Sequence, residues 1–101
     1  MFTATQEQID AWKSEHQINE VIALSSKKHD KRAYFRKPNR KEMEFLSAGT
    51  KSSGLKFNAS LLKTCYLGGD KEIETNDDIF MGIGEQIMSL LTFDVVEVEK
   101  L

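Results

Sequence analysis

Cys65, the single cysteine of this 101-residue chain, is the side chain best suited to nucleophilic chemistry. A thiol attacks as its thiolate, so it needs a neighbouring base or an electropositive setting that lowers its pKa. The two histidines, His16 and His29, fall in remote segments, one at a helix end and one in a charged turn. Cys65 itself closes a run of Phe57, Leu61, Leu62, Cys65 and Tyr66 with the spacing of an apolar helix face. There cysteine behaves as a small hydrophobe, and burial is the expectation. One cysteine excludes an internal disulfide, and with two histidines it cannot build the usual structural zinc site.

The acidic residues Asp70, Glu72, Glu74, Asp77 and Asp78 could in principle hold a hard cation. An EF-hand loop needs ligands at fixed offsets, a central glycine and a terminal glutamate, and the cluster offers none of these. A solvated loop leading into a charged helix start explains it better. Gly82-Ile83-Gly84 lacks the third glycine of a dinucleotide fingerprint and lies inside an expected helix. The two glycines are expected to admit a neighbouring element. Gly68-Gly69-Asp70 invites comparison with the signature of cyclic-dinucleotide synthases. Those domains need a far longer chain and a metal-binding acid on an earlier strand. Two glycines after a helix are read instead as its stop. No Ser-His-Asp or paired-carboxylate arrangement is supported. The sequence does not read as an enzyme and calls for no catalytic residue, cofactor or metal.

The remaining candidate is a basic run. Residues 27–41 hold eight of the fourteen Lys and Arg, with Tyr34 and Phe35 interleaved. Exposed aromatics on a sheet can stack bases while cations hold phosphates, so a small nucleic-acid-binding regulator is the alternative reading. Against it, a strand that turns Phe35 inward leaves only Tyr34 for stacking. The sequence pI near 5.7 is also far from that of a dedicated binder. Nucleic acid is therefore disfavoured. Arg36, Lys37, Arg40 and Lys41 are assigned to a protein-binding face.

The elements that must position these groups are short. Thr5 to Gln8 reads as a capping box, and Ile9, Trp12 and His16 continue at helical spacing. This predicts a helix over 6–16 with a thin apolar stripe, loosely docked through Trp12. Residues 18–24 read as a strand, 25–30 as a polar turn, and 33–36 as a second strand ending before Pro38, the only proline. Such a hairpin is marginal alone, so helices must cover it. Asn39 and Glu42 form a second capping box, opening a helix to about Ala48 with Met43, Phe45 and Leu46. Residues 49–54 are a loop by composition, and a helix from Leu55 stops at Gly68-Gly69. Thr75-Asn76-Asp77-Asp78 starts a last long helix with Ile79, Phe80, Ile83, Ile87, Leu90 and Leu91 on its core face. Residues 93–101 form a tail left open between strand and helix. The expected fold is α+β: N-terminal helix, short antiparallel hairpin, then about three packed helices in one domain spanning 1–101.

Composition bounds the class. Hydrophobic residues make up 40% of the chain and charged residues 30%. Those proportions suit an ordered globular domain. No apolar run approaches the roughly 18 to 20 residues of a membrane span. The first residues lack a signal-peptide pattern, so the expectation is a cytoplasmic protein of a bacterial host with no membrane partner. Asn58-Ala59-Ser60 is then a chance glycosylation sequon. The net charge of −2 conceals a division. Residues 1–67 hold twelve Lys or Arg against seven acids, and 68–101 hold two against nine. Opposite halves could drive head-to-tail self-association into a homo-oligomer.

Two motifs together carry a resemblance. Tyr34-Phe35-Arg36-Lys37-Pro38-Asn39-Arg40 followed by Cys65-Tyr66-Leu67-Gly68-Gly69-Asp70 resembles small prophage proteins similar to phage tail assembly chaperones. The resemblance runs from Trp12 to Leu91 and departs at Gly54, where proline is expected at a helix start. It marks Phe35, Pro38, Gly68, Gly69 and Asp70 as structural positions and brings no functional residues. It implies a non-enzymatic protein that coats a tape-measure protein, keeps it soluble and recruits tail-tube subunits. A helical client of this kind calls for an apolar groove with a charged surround.

Overall fold

The computed structural model describes residues 1–49 and 54–101; residues 50–53, in the loop expected from composition, lie outside the described residues. The fold is α+β, with an N-terminal helix, a three-stranded antiparallel sheet and several short helices. In chain order these are α1 (Gln6–His16), β1 (Ile22–Ser26), β2 (Lys31–Phe35), α2 (Arg40–Gly49) and α3 (Gly54–Cys65). β3 (Tyr66–Gly69), α4 (Glu72–Thr75), α5 (Asp77–Gly82) and a 3₁₀ helix (Gly84–Leu91) complete the order.

The helix starts follow from capping chemistry. The Gln8 amide donates to Thr5 Oγ1 at 3.1 Å, satisfying one of the orphan donors at the start of α1. Asn39 and Glu42 close a reciprocal capping box. The Glu42 amide donates to Asn39 Oδ1 at 2.8 Å, and the Asn39 amide to Glu42 Oε1 at 3.0 Å. Asn76 Oδ1 accepts from the Ile79 amide at 3.1 Å and opens α5. Pro38, buried between β2 and α2, marks the corner between sheet and helices.

β2 is the central strand. Ile22 pairs with Phe35 and Leu24 with Ala33 on one side, while Ala33 pairs with Gly69 and Tyr34 with Gly68 on the other. Between Tyr34 and Phe35 the register shifts so that Phe35 meets Tyr66, leaving Leu67 as the extra residue of a bulge. Gly68-Gly69 therefore does not stop a helix. α3 runs directly into a strand, because Tyr66 can continue the ladder that the Arg36 amide opens on the Cys65 carbonyl at 3.0 Å.

One face of the sheet carries Leu24, Ala33 and Phe35 into a core with Leu46, Leu61, Leu62, Cys65, Ile73 and Leu90. The other face is closed by α1 and the residues before it. Tyr34, 3% exposed, lies under Trp12 at 5.4 Å between ring centroids and meets Phe2 edge-on at 6.0 Å. Within α1 only Trp12 is buried, as the thin stripe predicts.

The expected last helix starts at Asn76 as predicted but is in two pieces, α5 and the 3₁₀ helix, and the short α4 precedes it. α4 and α5 are separated at Asn76, and α5 ends before Gly84. The φ of +51° at Gly84 cannot continue an α-helix. A Cβ at Gly82 or Gly84 would meet nothing within 4 Å, so neither glycine admits a neighbour, contrary to expectation. Ile79, Ile83, Ile87 and Leu90 are nevertheless buried as their spacing predicts, with Phe80 and Leu91 packed against them. Of the apolar residues on α2, Leu46 is buried whereas Phe45 is 77% exposed. No helix among the described residues is long and apolar enough to cross a membrane.

Candidate functional site

The four residues assigned to a protein-binding face divide into two pairs. The Arg36 guanidinium is largely buried and makes a two-pronged contact with Glu42, Nη1 to Oε1 at 2.7 Å and Nη2 to Oε2 at 2.8 Å. Its Nη2 also donates to the Thr64 carbonyl at 3.2 Å. The Arg36 contact holds the Glu42 carboxyl below its ordinary pKa against the opposing effect of burial. Arg36 thus fastens β2 to α2 and α3. Lys37 reaches Glu20 at 3.2 Å. Arg40 and Lys41 stand exposed on the first turn of α2.

Further back in the basic run, charge is also spent within the molecule. Lys28 Nζ meets Asp78 at 3.1 Å, and Lys31 Nζ meets Glu72 at 2.9 Å. Part of the division between a basic first half and an acidic last third is therefore closed inside one copy. Arg32 lays its guanidinium 5.2 Å from the Tyr34 centroid, within reach of the ring's negative face. Tyr34 lies on the face opposite Phe35, but α1 covers it, so it offers no open aromatic platform beside these cations.

Gly68, Gly69 and Asp70 each have a separate structural duty. A Cβ on Gly68 would lie 2.7 Å from Trp12 Cζ2, so only glycine admits the indole. Gly69 has φ +110°, and a Cβ there would stand 2.6 Å from the Arg32 carbonyl oxygen. Glycine alone takes such a backbone without strain. Asp70 Oδ2 accepts from the Phe2 amide at 3.0 Å and the Arg32 amide at 2.9 Å. Those two donors hold its carboxyl below the ordinary aspartate value. The motif thus docks the N-terminal segment onto the sheet.

Cys65 is fully buried, and burial pushes its thiol up to about 12. A thiol so placed stays protonated near neutrality. The acidic cluster is dispersed: Asp70 faces backbone amides, Glu72 faces Lys31, and Asp78 faces Lys28 and His29. Among the described residues no group of three or more His, Cys, Asp or Glu is placed to hold a metal ion. His29 Nε2 lies 2.6 Å from Asp78 Oδ2, a pairing across 49 positions that no local pattern signals.

Two further features escape the sequence reading. A cavity of about 520 Å³ lies along the outer edge of β1, between Ala23 to Ser26 and the α5 residues Ile79 and Gly82, with His29 and Asp78 at one end. The last residues, 93–101, form no helix or strand and leave Val95, Val96 and Val98 at least 80% exposed. The Phe93 ring lies 6.0 Å from Lys37 Nζ. No local signal in the sequence marks the third strand, and with it the outer edges of the sheet, because a marginal hairpin is equally completed by covering helices.

The chain matches no family model, and no curated protein or solved structure shows significant similarity to it.

Proposed function

We propose that this protein is a non-enzymatic binding protein of the phage tail assembly chaperone type, holding apolar segments of a client such as a tape-measure protein. The observation that carries the reading is the set of large apolar side chains left in water on the helical layer. Phe45 on α2, Met81 on α5 and Met88 on the 3₁₀ helix are all more than half exposed. Where such side chains gather they favour a protein partner, and methionine adapts its shape to varied clients. Arg40 and Lys41 supply a charged border on the same layer. The order of the two motifs lends support by resemblance. The buried Tyr34 and the paired Lys28, Lys31, Arg36 and Lys37 weigh against the nucleic-acid alternative.

Co-expression with a phage tape-measure protein from the same genome tests the reading. The unmodified chain should raise the soluble fraction of that client and co-purify with it. A Phe45→Ser, Met81→Ser, Met88→Ser variant that keeps its circular dichroism should lose most of the effect. Absence of rescue by the unmodified chain sinks the proposal. Nucleic-acid binding that falls steeply with salt and disappears on reversing Arg40 and Lys41 would replace it.

A further inference from the structure

We infer that the outer edge of β1 is a strand-acceptor site for the C-terminal segment 93–101 of a second copy of this chain. The inference concerns self-association and does not rest on the client reading.

The acceptor is defined by topology. The sheet order β1-β2-β3 leaves the far side of β1 without a strand among the described residues. In an antiparallel ladder every second residue directs its N–H and C=O away from its partner, so that edge presents donors and acceptors to any extended chain. The cavity of about 520 Å³ runs along this edge. Its far wall is α5 and the residue after it, where Ile79 and Ile83, 6% and 8% exposed, show their edges to the groove. Gly82, on the same wall, has no atom within 4 Å of the place a Cβ would take. The groove is open where an added strand would lie.

The donor is defined by its sequence and exposure. Residues 93–101 read Phe-Asp-Val-Val-Glu-Val-Glu-Lys-Leu, rich in the β-branched residue that fits a pleated surface. In an extended chain Val96 and Val98 share one side, and Glu97 and Glu99 the other. One side can therefore meet the apolar wall while the acids meet Lys27, and compete with Asp78 for Lys28, in the turn just past the end of β1. The segment stands out from the body. The radius of gyration is 14.9 Å. A compact chain of this length would have about 13 Å.

A second copy is favoured over the chain's own tail by the path of the backbone. The 3₁₀ helix leaves the groove after Gln86 and ends at Leu91, and Phe93 then lies by Lys37. Lys37 follows the end of β2 that pairs with Ile22, so Phe93 sits toward the start of β1. Returning along the edge requires an immediate reversal. Leu91-Thr92-Phe93 contains no glycine, proline, asparagine, aspartate or serine to make one, and the first turn-forming residue, Asp94, comes only after Phe93 has reached Lys37. A tail from another copy enters without that reversal.

Light scattering after size exclusion tests this on the full chain, from micromolar to submillimolar concentration, at low and high salt. The expected mass rises with concentration to at least twice the monomer and persists at high salt. Val96→Glu with Val98→Glu should hold the tail variant at monomer mass, and Gly82→Phe should do the same by filling the groove. An equimolar mixture should regain dimer mass, because one copy keeps an intact groove and the other an intact tail. Lys27→Glu with Lys28→Glu gives a second groove variant should Gly82→Phe lose its circular dichroism, and should weaken association several-fold at low salt. A monomer at every concentration overturns the inference, including a monomer whose own tail or a client fills the groove. Association that survives the tail and groove variants, or that vanishes in high salt, overturns it as well.

Discussion

Gly69 shows how narrowly a single position can be fixed. Its φ of +110° lies where side chains are rarely tolerated, and its neighbour across the ladder is backbone that cannot swing aside. Gly69→Ala should lower stability by about 2–4 kcal/mol, adding a contact clash to strain of about 1–3 kcal/mol, read as a fall in the urea midpoint. Arg36 is fixed by charge instead. Arg36→Met would leave the Glu42 carboxylate without its partner in a half-buried site, costing about 1–3 kcal/mol. Asp70 adds a pH dependence. Its folded pKa is depressed, so its contribution is present above the ordinary aspartate value and is lost as pH falls through the folded one. Between neutrality and about pH 3, the urea midpoint of Asp70→Asn should fall less than that of the unmodified chain. Equal falls would show that Asp70 carries none of it.

Among the elements, the broken final helix separates two glycines that look alike in the sequence. Gly82 has ordinary backbone and open space, so Gly82→Ala should raise stability by up to about 1 kcal/mol. Gly84 has φ +51°. Gly84→Ala should therefore lower stability by about 1–2 kcal/mol. Opposite signs in thermal melts would bear this out. The contrast explains what could be read in advance. Thr5, Asn39 and Asn76 announced three helix starts, because caps act through neighbours three residues away. The buried set Ile79, Ile83, Ile87 and Leu90 was legible from its spacing alone. β3 was not, because Gly68-Gly69 serves a long-range need, room for Trp12 and for the β2 backbone. That need leaves no local trace beyond the glycines themselves. The same limit hid Tyr34 beneath α1 and the pairing of His29 with Asp78.

For the whole molecule, the arrangement is a three-stranded sheet with its central strand covered on both faces. Ala33, Tyr34 and Phe35 should be the slowest amides in hydrogen exchange, since β2 is paired on both sides and shielded above and below. The amides of 93–101 should exchange as in an unfolded chain when copies are dilute, and slow as concentration rises. Slow exchange of the tail in dilute solution would mean that it packs on its own body. The groove on β1 was out of reach of sequence reasoning. It exists only because β3 joins the other side of β2 and leaves this edge bare.

The seating of Trp12 over Gly68 has a temporal consequence. The indole sits against a strand far along the chain, so its final environment requires β3 to be in place first. Closing that long loop costs entropy that local contacts cannot offset early. Trp12 is also the chain's only tryptophan, so its fluorescence reports one event, the docking of α1 at the end of folding. Trp12→Phe should therefore speed unfolding while leaving the folding rate nearly unchanged, a φ-value near zero. A slowed folding rate would place α1 in the nucleus instead.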